Sequence, residues 1–345
     1  MWKTTLICHI CVLTIISSCV SNSGLKKLQF ESNVKIDANM ISKESLLMTY
    51  PYDMFVTDYV IGILGFSNQK WLHLYDKITG EYIGGYIGLG RGPGEILSCS
   101  NIFYNPRSNI LYIFDDYVEK LLIYQLSDSN YEPNLISEHK LGGIDGVVFY
   151  KFWPLSNTTY LANSQVSNDE VLTRFQIYSY EDELIDVNSE MPELTGDDNH
   201  TYIQSFITMS PNNQHLASVT LMGQILELYD LSDTTITRRL ENIYNFPNVM
   251  YNDGVVRDTE KTIWGFPCIT SDNTYIYASL IDSRDPYVFN HIAIFDWNGN
   301  AVSKVTTDYN VLRLAISGND LFAIVANMDN ELFLAKYAVN EIIAR

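Results

Sequence analysis

The chain has 345 residues, 46% of them hydrophobic and 18% charged, with a formal net charge of −19. That composition supports a large buried core and argues against disorder. The acidic excess argues against nucleic acid and anionic membrane surfaces as partners, because phosphates would be repelled; neutral sugars, peptides, cations and proteins stay open.

Residues 1–18 read as a processing segment. Lys3 supplies the positive end, and Leu6–Ile16 is an apolar run too short for a membrane-spanning helix, which needs about 20 residues. Ile16-Ser17-Ser18-Cys19 resembles a bacterial lipobox. The resemblance implies cleavage before Cys19 and lipidation of its sulfur, which would anchor the chain to a membrane. The alternative is an ordinary secretory signal. Residues 19–25 form a short polar tether without the acidic run of some surface-exported lipoproteins. An outer-membrane lipoprotein facing the periplasm is therefore favoured over one on the surface. Cys8 and Cys11 would leave with the signal, so Cys99 and Cys268 remain. A disulfide between them is open; the plainer reading is two buried, unpaired thiols.

Lys26–Ile36 alternates apolar Leu28, Phe30 and Val34 with polar residues, the period of a half-buried strand. It has no partner nearby in sequence. From there an apolar run ending in an aromatic recurs around Tyr75, Tyr124, Tyr178, Tyr229, Phe295 and Tyr337, with the longest interval between Tyr229 and Phe295. Each copy follows another apolar run: Tyr59–Leu64, Ile110–Phe114, Tyr160–Ala162, Leu216–Leu221, Tyr275–Ile281 and Leu321–Val325. Turn residues such as Asn298-Gly299 and Gly318-Asn319 separate them.

Six units of roughly 50 residues, each of about four short strands, predict an all-β fold over residues 26–345: a six-bladed β-propeller of four-stranded antiparallel blades. A sandwich needs no such repeat. A TIM barrel needs helices, and no helical period runs longer than Ser42–Met48. An open ring would leave two sheet edges unpaired. The N-terminal strand is expected to close it by completing the last unit, after Leu332–Ala338.

The corner Gly88-Leu89-Gly90-Arg91-Gly92-Pro93-Gly94-Glu95, followed by LYIFDDYVEKLLIY, resembles the TolB-like six-bladed propeller lipoproteins of Bacteroidetes. It is also similar to NHL-type blades, with Asp115 or Asp116 in the place of their aspartate and Lys120 a loose match to their basic residue. Met209–Ala217 resembles the SPDGxxLA turn of TolB, with Asn for both Asp and Gly. The resemblance implies a fold and an envelope address, and no agreed reaction.

No GxSxG, HExxH, Walker or EF-hand pattern is present, and the histidines lack metal-ligand spacing. A triad assembled from several blades stays open. At the glycine corner, Arg91 could clamp a carboxylate or phosphate with Glu95 orienting it; alternatively the two pair with each other or with backbone. Asp115 and Asp116 could hold Ca²⁺ with carbonyl oxygens, or simply cap a turn. Trp153 and Trp264, with Tyr251, Phe266 and Tyr287, could form aromatic platforms, or serve inter-blade packing. Asp253 and Arg257 lie in the insertion 244–260, and a second insertion covers 182–204; long loops are common places for binding groups. Asp233-Thr234-Thr235 resembles a Bacteroidetes O-glycosylation acceptor. The expectation is a lipid-anchored, non-catalytic binding or scaffold protein for a glycan, peptide or envelope protein. It has no cofactor beyond the Ca²⁺ option. The alternative is a metal-dependent lactonase-like hydrolase or a lyase.

Overall fold

The computed structural model describes residues 25–48, 50–127, 131–141, 147–166, 174–181, 183–188, 205–247, 249–252, 255–258 and 262–343. The signal, Cys19 and most of the tether lie outside these residues. Two short N-terminal strands come first, β1 (Ser32–Lys35) and β2 (Asn39–Met40). Blade one is β3 (Asp53–Val56), β4 (Val60–Ser67), β5 (Lys70–Asp76) and β6 (Tyr82–Gly88). Blade two is β7 (Cys99–Asn105), β8 (Ile110–Asp115), β9 (Lys120–Leu126) and β10 (Pro133–Lys140). Blade three is β11 (Val147–Pro154), β12 (Thr159–Val166), β13 (Phe175–Ser179) and β14 (Leu184–Asn188). Blade four is β15 (Ser205–Met209), β16 (His215–Thr220), β17 (Gln224–Leu231) and β18 (Ile236–Asn245). After an inserted hairpin, β19 (Val249–Asn252) and β20 (Val255–Asp258), blade five is β21 (Ile269–Ser271), β22 (Tyr275–Leu280), β23 (His291–Asp296) and β24 (Ala301–Thr306). Blade six is β25 (Asn310–Ser317), β26 (Asp320–Ala326) and β27 (Leu332–Ala338), followed by one helical turn, α1 (Val339–Ile342).

Within each blade, neighbouring strands in sequence pair antiparallel. The six recurrent aromatics all fall on third strands, and the runs that precede them coincide with the second strands. The reason is burial. Second and third strands form the middle of each sheet and are covered on both faces by adjacent blades. Their sequences therefore read as nearly unbroken apolar runs. The cores accordingly lie between blades. One joins Leu64, Leu72 and Leu74 of blade one to Leu111, Ile113 and Leu122 of blade two. Another joins Ile61 and Ile63 of blade one to Phe322, Ile324 and Leu334 of blade six. The long interval between Tyr229 and Phe295 contains the β19–β20 hairpin.

The N-terminal chain closes the ring, with a different assignment of strands from the one expected. β2 pairs antiparallel with β27, Met40 opposite Ala335. The pairing continues irregularly: Ile41 N–H donates to Leu334 O at 2.8 Å, Leu46 N–H to Leu332 O at 2.7 Å, and Leu334 N–H to Ser42 Oγ at 2.9 Å. The Ser42–Met48 stretch is a strap and not a helix. Lys26–Ile36 does not join blade six. Its β1 runs parallel to β24, Val34 opposite Val305, as a fifth strand of blade five. Leu28 and Phe30 pack there on the core between blades four and five.

The strap also rests on the turn between β5 and β6. Gly80 in that turn has φ +68°, and a Cβ there would lie 2.7 Å from Ser42 Cα. Between blades three and four, the guanidinium of Arg174 meets Glu227 with both side chains fully buried. Ser218 Oγ accepts from Arg174 at 2.9 Å, and Tyr229 Oη donates to Glu227 at 2.9 Å. Cys99 and Cys268 are both buried free thiols.

Two stability outcomes follow, both read by chemical denaturation. Gly80→Ala forces a left-handed backbone and a backbone clash, and should lower stability by about 2 kcal/mol. Glu227→Ala leaves Arg174 buried and uncompensated, and should lower it by about 3–5 kcal/mol.

Candidate functional site

Strand alternation sorts the loops. The blade-to-blade connections and the turns between second and third strands emerge together on one face, because both follow strands running in the same direction. This loop face carries the glycine corner, the turn at 116–119, the β19–β20 hairpin and the segment with Trp264. It also carries the β22–β23 loop, where Tyr287 is 80% exposed.

The first strands β3, β7, β11, β15, β21 and β25 surround the central channel. Three charges from three of them act on one another. Asp53 of blade one accepts Met54 N–H at 2.8 Å and Ile102 N–H at 3.1 Å. Burial pushes its carboxyl up, opposed by those two amides and by the charges of Arg313 and Lys151. Lys151 of blade three is half-buried, with its ammonium 5.0 Å from the ring centre of Phe206 in blade four. Burial lowers its pKa to about 8, against the pull of Asp53. Arg313 of blade six donates from Nε to Tyr52 O at 2.7 Å, from Nη1 to Leu312 O at 2.6 Å and from Nη2 to Tyr50 Oη at 3.0 Å. Burial pushes the Cys268 thiol up to about 11 and the Cys99 thiol well above its ordinary value. Neither is a thiolate nucleophile at neutral pH.

The arrangement is one carboxylate between two cations. Its aspartate is engaged by two amides, and the Arg313 guanidinium by two carbonyls and the Tyr50 hydroxyl. Among the described residues, no three His, Cys, Asp or Glu side chains converge as a metal-binding group.

The residues singled out in the sequence separate into distinct places. Arg91, Glu95, Asp115 and Asp116 gather where blade one passes to blade two. Glu95 Oε2 accepts Gly92 N–H at 2.8 Å, and Arg91 is exposed. Asp115 is buried and accepts the amides of Leu97 (2.7 Å), Ser98 (3.4 Å), Tyr117 (3.1 Å) and Val118 (3.4 Å), so it fastens the corner to its own turn. Trp153 is a correction: it packs with Leu161, Phe175 and Ile177 between blades and offers no ring to a ligand. A tryptophan at the end of a first strand is drawn into that inter-blade space. Trp264 is partly buried, bridges to Met222, and its indole N–H has no partner among the described residues. Asp253 lies outside the described residues; Arg257 lies on β20, its side chain outside them.

Sequence reasoning missed Asp53, Lys151 and Arg313. A signal existed for the two cations: each is a lone charge inside an apolar run, FYKFW and VLRLA.

Asp53→Asn tests the channel electrostatics. Loss of the anion should take the Lys151 pKa below about 8, read from the pH profile of amine acylation. In the native chain, Lys151 has a pKa lowered from the ordinary 10.5 to about 8. The unfolded chain holds the extra proton between those values, so this group should make stability rise with pH across that window.

No curated protein matches the sequence. Solved structures do. A protein from Bacteroides fragilis described as exported superposes with a TM-score of 0.57 at 13% identity, covering 89% of this chain and 99% of that one. A member of the DUF4221 family from Bacteroides vulgatus gives 0.54 at 9% identity, covering 88% and 96%. Regucalcin, a calcium-binding protein from Agrobacterium tumefaciens, gives 0.52 at 11% identity, covering 91% and 97%. At such identities the likeness is one of fold. The model of the TolB-like 6-blade propeller-like family matches residues 29–319, most of the chain, from the N-terminal strand through blade five to the first strand of blade six, and the chain belongs to that family.

Proposed function

We propose that this protein is a lipid-anchored binding or scaffold protein of the cell envelope. On this reading its loop face holds a glycan, peptide or protein partner around the channel mouth without chemical turnover. The observation that carries the reading is the crowding of both loop classes and the inserted hairpin on one face, above a channel whose Asp53 and Arg313 are held by backbone groups and the Tyr50 hydroxyl. Anchoring rests on the lipobox-like Ile16–Cys19 stretch. The envelope address is supported by the exported description of the Bacteroides fragilis neighbour.

Two exposed residues on opposite faces test the binding reading. Tyr287 is on the loop face, and Ile78, 87% exposed, is in the β5–β6 turn on the other. The full chain in neutral detergent should retain ligands from glycan and peptide arrays. Tyr287→Ala should weaken retention several-fold and Ile78→Ala should leave it unchanged. The reverse pattern, or no retained ligand, would defeat it. Cys19→Ser should move the protein from the membrane fraction to the soluble one.

The metal-dependent alternative needs carboxylates, Asn or His from several blades around a cation. Metal analysis of the purified full chain decides this point. A stoichiometric divalent ion would favour the lactonase-like reading over the binding one.

A further inference from the structure

The corner between blades one and two is built around Glu95. A Cβ on Gly90 would fall 2.0 Å from Glu95 Oε2, and one on Gly92 would fall 2.9 Å from it, so the glycines let the loop fold over that carboxylate. Other groups fasten the loop from outside. Lys120 Nζ donates to Glu95 O at 3.0 Å, Tyr124 Oη to Gly94 O at 3.0 Å, and Gly94 N–H to Glu138 Oε1 at 2.5 Å. Arg91 takes no part. Glu95 turns inward to the backbone, and the Arg91 guanidinium has no hydrogen bond or ion pair among the described residues. A rigid loop therefore displays an uncommitted arginine.

Arg91 borders a cavity of about 400 Å³ together with Gly90, Val118, Lys120 and Lys140. Among the described residues its three charged lining residues are all cations, and they come from three separate elements: the corner, the start of β9 and the end of β10. Lys120 is partly neutralised by Glu138 at 3.4 Å. Lys140 is exposed and, like Arg91, has no side-chain partner among the described residues. Two surplus cations thus face one concavity in a chain of net charge −19. Acidic residues stand close by, but Glu95 and Glu138 accept the amides of Gly92 and Gly94, and neither they nor Asp116 and Glu119 are among the described residues that line the cavity.

We propose that this cavity binds a tetrahedral oxyanion, a phosphate or sulfate group, carried on a small molecule. A guanidinium fork with ammonium groups beside it is the donor set that recognises such oxygens by charge-assisted hydrogen bonds. The volume falls in the range of small-molecule sites, about 300–1,000 Å³, and exceeds what a bare oxyanion fills. The remainder can take a sugar-sized body against Val118 and Gly90. This site is distinct from the channel mouth and stands whether or not a partner binds there.

The test is calorimetric titration of the full chain in neutral detergent at fixed ionic strength. The probes are glucose 6-phosphate, inorganic phosphate, inorganic sulfate and glucose. Saturable binding of glucose 6-phosphate, tighter than either inorganic ion and absent for glucose, is the expected result. Arg91→Ala and Lys140→Ala should each weaken it by roughly tenfold. Both side chains are exposed and unpaired, so the unfolding midpoints of the variants, recorded alongside, should match the parent. No saturable binding by glucose 6-phosphate would overturn the proposal, as would binding that survives the Arg91→Ala/Lys140→Ala double variant. Equal affinity for inorganic phosphate would overturn the small-molecule part, and glucose binding the oxyanion part.

Discussion

Closure of the ring is the constraint on which the other features depend. Six small sheets arranged in a circle each bury two faces only if the sixth meets the first. Here the meeting is made by main-chain hydrogen bonds between the strap and β27, and by Gly80 allowing the β5–β6 turn to touch the strap. The same seam sets the channel. Arg313 belongs to blade six, yet its Nε is held by Tyr52 O, one residue before Asp53 of blade one. If the seam opened, the guanidinium would lose that carbonyl and the Tyr50 hydroxyl together. The channel charges are therefore a product of closure. The contacts that close the ring join the two ends of the sequence, so they carry the largest loop-closure entropy in the fold.

What the sequence made legible follows from how local each signal is. Burial on both faces leaves unbroken apolar runs, so the second and third strands of all six blades could be read directly. Alternation in Lys26–Ile36 showed a strand with one buried face, but alternation carries no address for its partner. Leu28 and Phe30 found their cover on blades four and five. The strand that completes blade six is two residues long, Asn39–Met40, and has no periodicity of its own. Its conformation is imposed by β27, and no local pattern could have announced it.

The same distinction governs the site. The glycine corner was legible because its chemistry is contiguous: glycines, Arg91 and Glu95 sit within eight residues and shape one another. The local sequence could not say which of the two charges would turn inward. Contact between the glycine backbone and Glu95 decided it. The channel cluster is the opposite case. Asp53, Lys151 and Arg313 are far apart in the chain and come together only through the sixfold arrangement. Trp153 failed as a ligand platform for a related reason, since whether an aromatic faces solvent or a neighbouring blade depends on the next sheet.

The channel charges also bear on what kind of molecule this is. Burying an aspartate with a lysine and an arginine is a poor source of stability, because desolvation offsets most of the attraction, and apolar residues of similar size often serve as well or better. Their effect is positional. Asp53 accepts an amide from blade two while sensing cations on blades three and six, so one carboxylate relates four blades. With the inner ring tied in this way and the cores lying between blades, the loops above carry little of the core, even where, as at the glycine corner, they are fastened locally. Insertions such as the β19–β20 hairpin can accumulate on that face without disturbing the ring beneath. A rigid ring with one freely variable face is the physical basis for a binding surface.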